Sequence, residues 1–454
     1  MKQTFTTKGK LIQLITILIP ILFTQLAMYS MNFFDTMMSG KYSKTDLAGV
    51  AIGSSLWVPV FTGLSGILLS ITPIIAHLVG GKKNKDVAFS VIQGIYAAIF
   101  LAIIILVIGS FALKPILQQM NLEAHVRNVA KYYLVALSFG IIPLFIYNVL
   151  RSFMDALGMT RVTMIITLLS LPINVALNFL FIFGNAGMPK LGGVGSGVAS
   201  AITYWLIMFI AFAVIHFQKP FSSFMIFKKW YPVSFKKWKE IFVLGIPIGL
   251  STFFETSIFA AVTLVMAKYG TNIIAAHQIA INFSSLLYMI PLSISMAMTI
   301  VIGYEVGAER FDDARQYSKL GISIAVVMAF ILGILLLTNN ELVAKVYSND
   351  IKVIALTTHF LLYAVFFQLS DAIQAPVQGA LRGYKDVNVT FIMAFISYWI
   401  IGLPFGYVIA NYTNFGPYGY WLGLITGLAV GAITLSLRLF YVLRKKGKTR
   451  IGLQ

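Results

Sequence analysis

The chain has no cysteine among its 454 residues, so disulfides, thiol chemistry and cysteine-ligated metals are excluded. Charge is scarce as well. Only 11% of residues are Asp, Glu, Lys or Arg, where ordinary soluble domains carry about 25%. Acids are scarcer still, with 15 Asp and Glu against 34 Lys and Arg. No phosphate-binding loop with a Walker lysine occurs, which argues against direct ATP drive. A 59% hydrophobic share excludes disorder, which requires low hydrophobicity.

What is present is a series of long apolar runs. A membrane helix needs roughly 20 apolar residues. Twelve such spans are expected, at 11–38, 47–79, 87–113, 130–153, 160–184, 194–217, 240–268, 273–303, 315–337, 353–381, 387–411 and 417–442. The fold class is therefore an all-α polytopic membrane protein. The first run, Leu11 to Phe34, is too long for a signal-peptide core and reads as a retained span.

The net charge of +19 invites a nucleic-acid reading. Such domains gather Lys and Arg on one exposed face. Here the basic residues lie in short clusters between apolar runs, so membrane lipid is the expected partner and nucleic acid is not. With both termini in the cytoplasm, 25 basic residues fall inside and 9 outside, as the positive-inside rule requires. The tract 218–239 holds Lys228, Lys229, Trp230, Lys236, Lys237 and Trp238, a mixture suited to the cytoplasmic interface.

The sequence matches itself at a shift of 227: Pro20 falls on Pro247, Ala48 on Ala275, Thr72 on Thr299, Gly80 on Gly307 and Asp86 on Asp313. This predicts an amino-terminal lobe over 1–217, a linker over 218–239 and a carboxy-terminal lobe over 240–454. Six spans in each lobe make two parallel six-helix bundles related by pseudo-two-fold symmetry, a transporter signature. Pro20, Pro172, Pro247, Pro291 and Pro376 lie inside spans, where proline bends a helix.

Three acids lie deep inside spans: Asp35, Glu255 and Asp371. A charged Asp at a span centre costs about 2.5–3.5 kcal/mol on insertion scales, so each is a functional candidate. Helical rise places Glu255 about 21 Å and Asp371 about 17 Å from the inner boundary, at similar height. Asp35 lies nearer the outer face, in the other half. No equally deep Lys or Arg is expected to neutralise them. Unpaired acids in a dry interior bind a proton or an external cation.

Their neighbours are polar at helical spacing. Gln368, Asp371, Gln374 and Gln378 form one stripe on span 10. Span 7 offers Ser251, Glu255 and Phe259, and span 8 offers Gln278, Asn282, Ser285 and Tyr288. In the amino half, span 1 carries Gln25, Tyr29, Asn32 and Asp35, and span 5 carries Thr163, Thr167, Ser170, Asn174 and Asn178. Interhelical hydrogen bonding is the other reading for such residues. The run Gly192–Gly197 is expected to bring helices close at the start of span 6. The five histidines show no metal-ligand spacing, and for His277 and His359 a proton relay is the alternative to the expected interfacial packing.

Taken in order, several segments resemble the multidrug and toxic compound extrusion (MATE) family, in its NorM-like bacterial branch. They are Asn32–Gly40, Pro172–Asn178, Gly187–Gly195, Ser251–Glu255, Ala275–Gln278, Asp371 and Gln378–Gly383. The resemblance implies secondary active export from the bacterial cytoplasmic (inner) membrane. Bulky lipophilic cationic or zwitterionic drugs and dyes would leave in exchange for inward Na⁺ or H⁺. No cofactor is implied beyond that ion, and a monomer is expected. By the resemblance, Glu255 and Asp371 handle the coupling cation, with Na⁺ as a candidate ligand, and Asp35 does so in the amino half. Phe259, Gln278 and Tyr288 are expected near substrate, with Asn282, Gln374, Gln378, Asn32, Asn174 and Asn178 completing the cavity walls. Another branch carries an acid near the end of the span 5 motif, where this chain has only Asn174 and Asn178, which leaves Na⁺ and H⁺ both open. Three other functions compete with this one. A lipid-linked saccharide flippase needs a more basic cavity, and an ion channel needs no alternating access. An integral-membrane enzyme lacks a nucleophile–base or metal constellation here.

Overall fold

In the computed structural model the described residues are 3–120 and 122–451. They form α-helices α1 (Thr7–Tyr42), α2 (Lys44–Leu68), α3 (Ile71–Gly80), α4 (Lys85–Gln119), α5 (Ala124–Ser138), α6 (Ile141–Ala156), α7 (Thr160–Phe183), α8 (Val194–Phe217), α9 (Phe235–Met266), α10 (Thr271–Gly307), α11 (Phe311–Tyr347), α12 (Ile351–Gly383), α13 (Asn388–Phe395), α14 (Leu403–Tyr412) and α15 (Tyr418–Ile451). No strand occurs among the described residues. Eleven helical segments are long and apolar enough to cross a membrane, and α5 with α6 make a twelfth. Lys2 lies outside the described residues, as do the side chains of Lys446, Lys448 and Arg450, all counted toward the cytoplasmic termini.

Three expected spans are interrupted, and span 2 is α2 followed by α3. Span 4 is the pair α5 and α6, bent by 51°. The break falls at Phe139-Gly140, where a Cβ on Gly140 would stand 2.7 Å from the Cα of Ala201. Span 11 is α13 and α14 joined by a wide turn over Ile396–Gly402. Pro404, at the start of α14, has no N–H to give the carbonyl one turn back, and a widened turn accommodates that loss.

Packing yields two units. The amino unit is Phe23–Gly249, and the carboxyl unit joins Met1–Leu22 to Leu250–Gln454. The divisions fall inside α1 and α9, shortly after Pro20 and Pro247, and not in the 218–239 tract. The cause is burial. Leu14, Ile17 and Ile21 sit in a core with Ile294, Met298, Tyr317 and Leu435. Likewise Ile241 joins the core of α3, α4 and α6, and a Cβ on Gly66 would stand 2.8 Å from the Cα of Gly249. The tract 218–239 is itself held in the amino unit. Phe221 and Ile226 are buried, and Phe221 and Phe224 meet Phe153 edge-on at 5.9 and 5.6 Å. Gln93 reads the tract's backbone from both ends of its amide, donating to Pro232 O at 2.7 Å and accepting from Ser234 N at 2.9 Å.

Glycines set the closest helix approaches. A Cβ on Gly197 would lie 2.6 Å from Tyr133 O, so the glycine run at the start of α8 does admit α5. In the carboxyl unit, a Cβ on Gly423 would lie 2.6 Å from the Cα of Gly406, and one on Gly427 2.9 Å from Ser397 O. This small-residue seam lets α15 pack on α14 and the wide turn at backbone distance.

Candidate functional sites in the two units

The amino unit closes a polar cluster around Asp35. Asn174 and Asn178 are one turn apart on α7 and fully buried, so their amides share a face. Asn178 Nδ2 donates to Asp35 Oδ1 at 2.6 Å and to Asn174 Oδ1 at 3.1 Å. Ser200 on α8 donates its hydroxyl to Asp35 Oδ2 at 2.9 Å. Asn178 Oδ1 is buried and has no hydrogen-bond donor among the described residues. Beside the cluster lies a cavity of about 60 Å³, walled by Asn32, Asp35, Ser54, Trp57, Tyr133, Ser200 and Tyr204 among others. That is room for a few waters or an ion, and too little for a polycyclic dye. An acid, an uncommitted amide oxygen and water-sized space form an oxygen-rich setting for a small cation.

The carboxyl unit holds the other two acids. Gln378 on α12 donates its amide N–H to Glu255 Oε1 on α9. Arg382, one turn on, donates from Nη2 to Gln378 Oε1 at 3.2 Å. Asp371 is buried at 6% exposure and has no hydrogen-bond partner among the described residues. Asp371 lies on the same buried stripe of α12 as Gln378, which bonds Glu255, so the two acids belong to one polar cluster. Gln374 donates to the hydroxyl of Tyr398, and its own Oε1 is buried without a partner. Gln368 donates to Ser284 O at 2.9 Å, which turns the whole stripe of α12 inward. Phe259 meets Phe367 edge-on at 5.7 Å. Tyr288 is half-buried and within electrostatic reach of both acids, whereas Gln278 and Asn282 are exposed on α10.

No cation as deep in a span as these acids was expected, and the structure adds cations buried nearer the span ends. Arg382 and Arg151 are both more than nine-tenths buried. Each lies close to the inner end of its span in sequence, yet helix packing covers it. Sequence reading also missed Asp155, at 3% exposure. Its Oδ2 lies 3.4 Å from Arg151 Nε, and its Oδ1 accepts from Thr163 at 2.7 Å. The spacing of Arg151 and Asp155, four apart on α6, was the available signal. Ser200 offered none beyond helical register. His277 is a packed core residue. Trp421 Nε1 donates to its Nδ1 at 3.1 Å, and its Nε2 lies 3.0 Å from the Thr263 hydroxyl. Among the described residues no three of His, Asp and Glu come together as a metal site. A Na⁺ in either unit would therefore rest on one or two acids plus neutral oxygens.

With this geometry in hand, the comparisons are informative. The MatE family profile matches twice, over residues 20–180 and 247–408. The second match begins 227 residues after the first, the shift at which the sequence repeats. A probable multidrug resistance protein NorM of Halalkalibacterium halodurans is 57% identical over 98% of this chain and 96% of its own length. The Bacillus subtilis protein described in the same words is 56% identical, over 97% of each chain. Among solved structures, the eukaryotic MATE transporter AtDTX14 superposes with a TM-score of 0.88 at 19% identity, covering 98% of this chain and 99% of its own. An outward-facing MATE transporter of the MOP superfamily gives 0.86 at 17% identity, covering 99% and 100%. These structures share the twelve-span fold. The chain belongs to the MatE family and is a multi-pass membrane transporter.

Proposed function

We propose that this transporter exports lipophilic cationic and zwitterionic drugs and dyes across the bacterial cytoplasmic membrane, in exchange for inward Na⁺ or H⁺. The observation that carries the reading is the pair Glu255 and Asp371, two acids of one polar cluster joined through the α12 stripe within apolar spans. Such a site attracts a positive charge, and the nearby rings of Tyr288 and Tyr398 add cation–π surface. Drug and coupling cation bind there in turn, because double occupancy would uncouple exchange. Asp35, with Asn174, Asn178 and Ser200, serves as a second cation site of small-ion size. Expelling a monovalent cation costs about 2.3 kcal/mol per 100 mV of membrane potential, which the inward ion gradient supplies. Relatives at 56–57% identity are described as probable multidrug resistance proteins, which supports a drug cargo.

Dye efflux from proteoliposomes, under separately imposed Na⁺ and pH gradients, tests the reading. Glu255→Gln and Asp371→Asn should each abolish gradient-driven efflux at normal protein yield. Full efflux by both variants would overturn the assignment.

A further inference from the structure

Arg382 occupies an unusual position for a buried arginine. Arg151, the other arginine more than nine-tenths buried, pairs directly with Asp155. Arg310 and Arg438 pair directly with Glu305 and Asp386. No carboxylate lies within ion-pair distance of Arg382 among the described residues, and its hydrogen bond goes to the neutral amide of Gln378.

That amide is fixed in one orientation. A guanidinium can only donate and a carboxylate can only accept. Gln378 must therefore turn its oxygen to Arg382 and its N–H to Glu255, as it does. The result is a polarised relay in which a cation leans on an anion through one carboxamide. Such chains strengthen cooperatively in a low-dielectric interior. Arg382 also senses Glu255 through space.

The formal charges of this cluster can be enumerated. Glu255 feels Arg382, and Asp371 feels Glu255. The other polar neighbours, Gln374, Gln378, Tyr288 and Tyr398, are neutral. With both acids ionised, two carboxylates and one guanidinium leave one net negative charge, which one bound proton or monocation neutralises. We infer that Arg382 is a resident counter-charge that limits the carboxyl-unit site to one mobile positive charge, selecting monocations over dications as cargo and taking one coupling cation per turn. This rests on the exchange reading proposed above. It adds a reason why Glu255→Gln should silence the site: Asp371 and Arg382 then cancel, and nothing attracts a cation.

The test uses the full chain in proteoliposomes, driven by whichever gradient drives the wild type. The cargoes are ethidium, a monocation, and propidium, a dication on the same ring system. Wild type should favour ethidium at least tenfold in initial rate. Arg382→Gln leaves two net negative charges and should shift the propidium-to-ethidium ratio at least tenfold toward propidium. Arg382→Lys should keep the wild-type ratio. The double variant Glu255→Gln with Arg382→Gln returns the cluster to one negative charge, and should regain at least a tenth of the ethidium exchange that Glu255→Gln lacks. Arg382→Met replaces Arg382→Gln if the latter does not accumulate. A dye ratio within twofold of wild type in the charge-removing variant overturns the inference, as does a double variant as silent as Glu255→Gln. Full exchange by the single variants Glu255→Gln and Asp371→Asn would instead sink the underlying exchange reading, whatever the dye ratio.

Discussion

Asn178 and Asp35, 143 residues apart in sequence, are joined by a 2.6 Å hydrogen bond between two fully helical segments. The bond makes α1 and α7 one polar unit in the amino half. It also separates two roles that mutation can read independently. The amide organises the site, and the carboxylate supplies its charge.

Asn178→Ala removes a donor from a buried acid, a loss of roughly 1.5–3 kcal/mol for a hydrogen bond to a charged group. The thermal midpoint in detergent should fall by several degrees. Asp35→Asn keeps an acceptor oxygen for Asn178 and loses only the charge. Its midpoint should stay close to wild type while gradient-driven dye efflux drops at least tenfold. Normal efflux by Asp35→Asn would remove Asp35 from the coupling scheme.

A second set of charges serves stability. Lys10 is 1% exposed, with Nζ 2.8 Å from Asp313. Arg310 lies 2.5 Å from Glu305 and 3.7 Å from Asp313. Removing Lys10 leaves Asp313 with a second cation, whereas removing Arg310 strands Glu305, itself 1% exposed. Breaking a buried pair from one side costs about 3–5 kcal/mol. Arg310→Ala should therefore lower the thermal midpoint clearly more than Lys10→Ala. The reverse order, measured by intrinsic fluorescence melts, would contradict this account.

The glycine seam between α14 and α15 makes a steric prediction. Gly423→Ala forces a methyl against the backbone of Gly406, and overpacking of this kind typically costs about 1–3 kcal/mol. Yield and thermal midpoint should both fall. Gly109→Ala on α4 meets nothing within 4 Å and removes a flexible residue from a helix, so it should be neutral or slightly stabilising. Equal losses from both variants would mean the seam is looser than described.

Much of the fold was legible because burial in lipid leaves a long uninterrupted apolar signal. The twelve spans followed from it, and the repeat from residue matches at a shift of 227. The bend at Gly140 was not legible, since its cause is the approach of Ala201 and not the local residue type alone. The acids Asp35, Glu255 and Asp371 stood out by sitting in the middle of apolar runs. Arg151, Asp155 and Arg382 lie close to span ends in sequence, where charges are ordinary. Only packing reveals that these three are covered. The stripe Gln368–Gln378 was readable from spacing, but spacing alone did not tell that Gln378 bridges an acid and a cation.

The points where α1 and α9 pass from one packing unit to the other constrain how this protein can be divided. A gene cut in the 218–239 tract would give a first fragment carrying Leu14, Ile17 and Ile21 without the core that buries them. That fragment would also lack Ile241, which fills its own interior. Neither piece is a self-sufficient fold, so split versions should survive only when co-expressed.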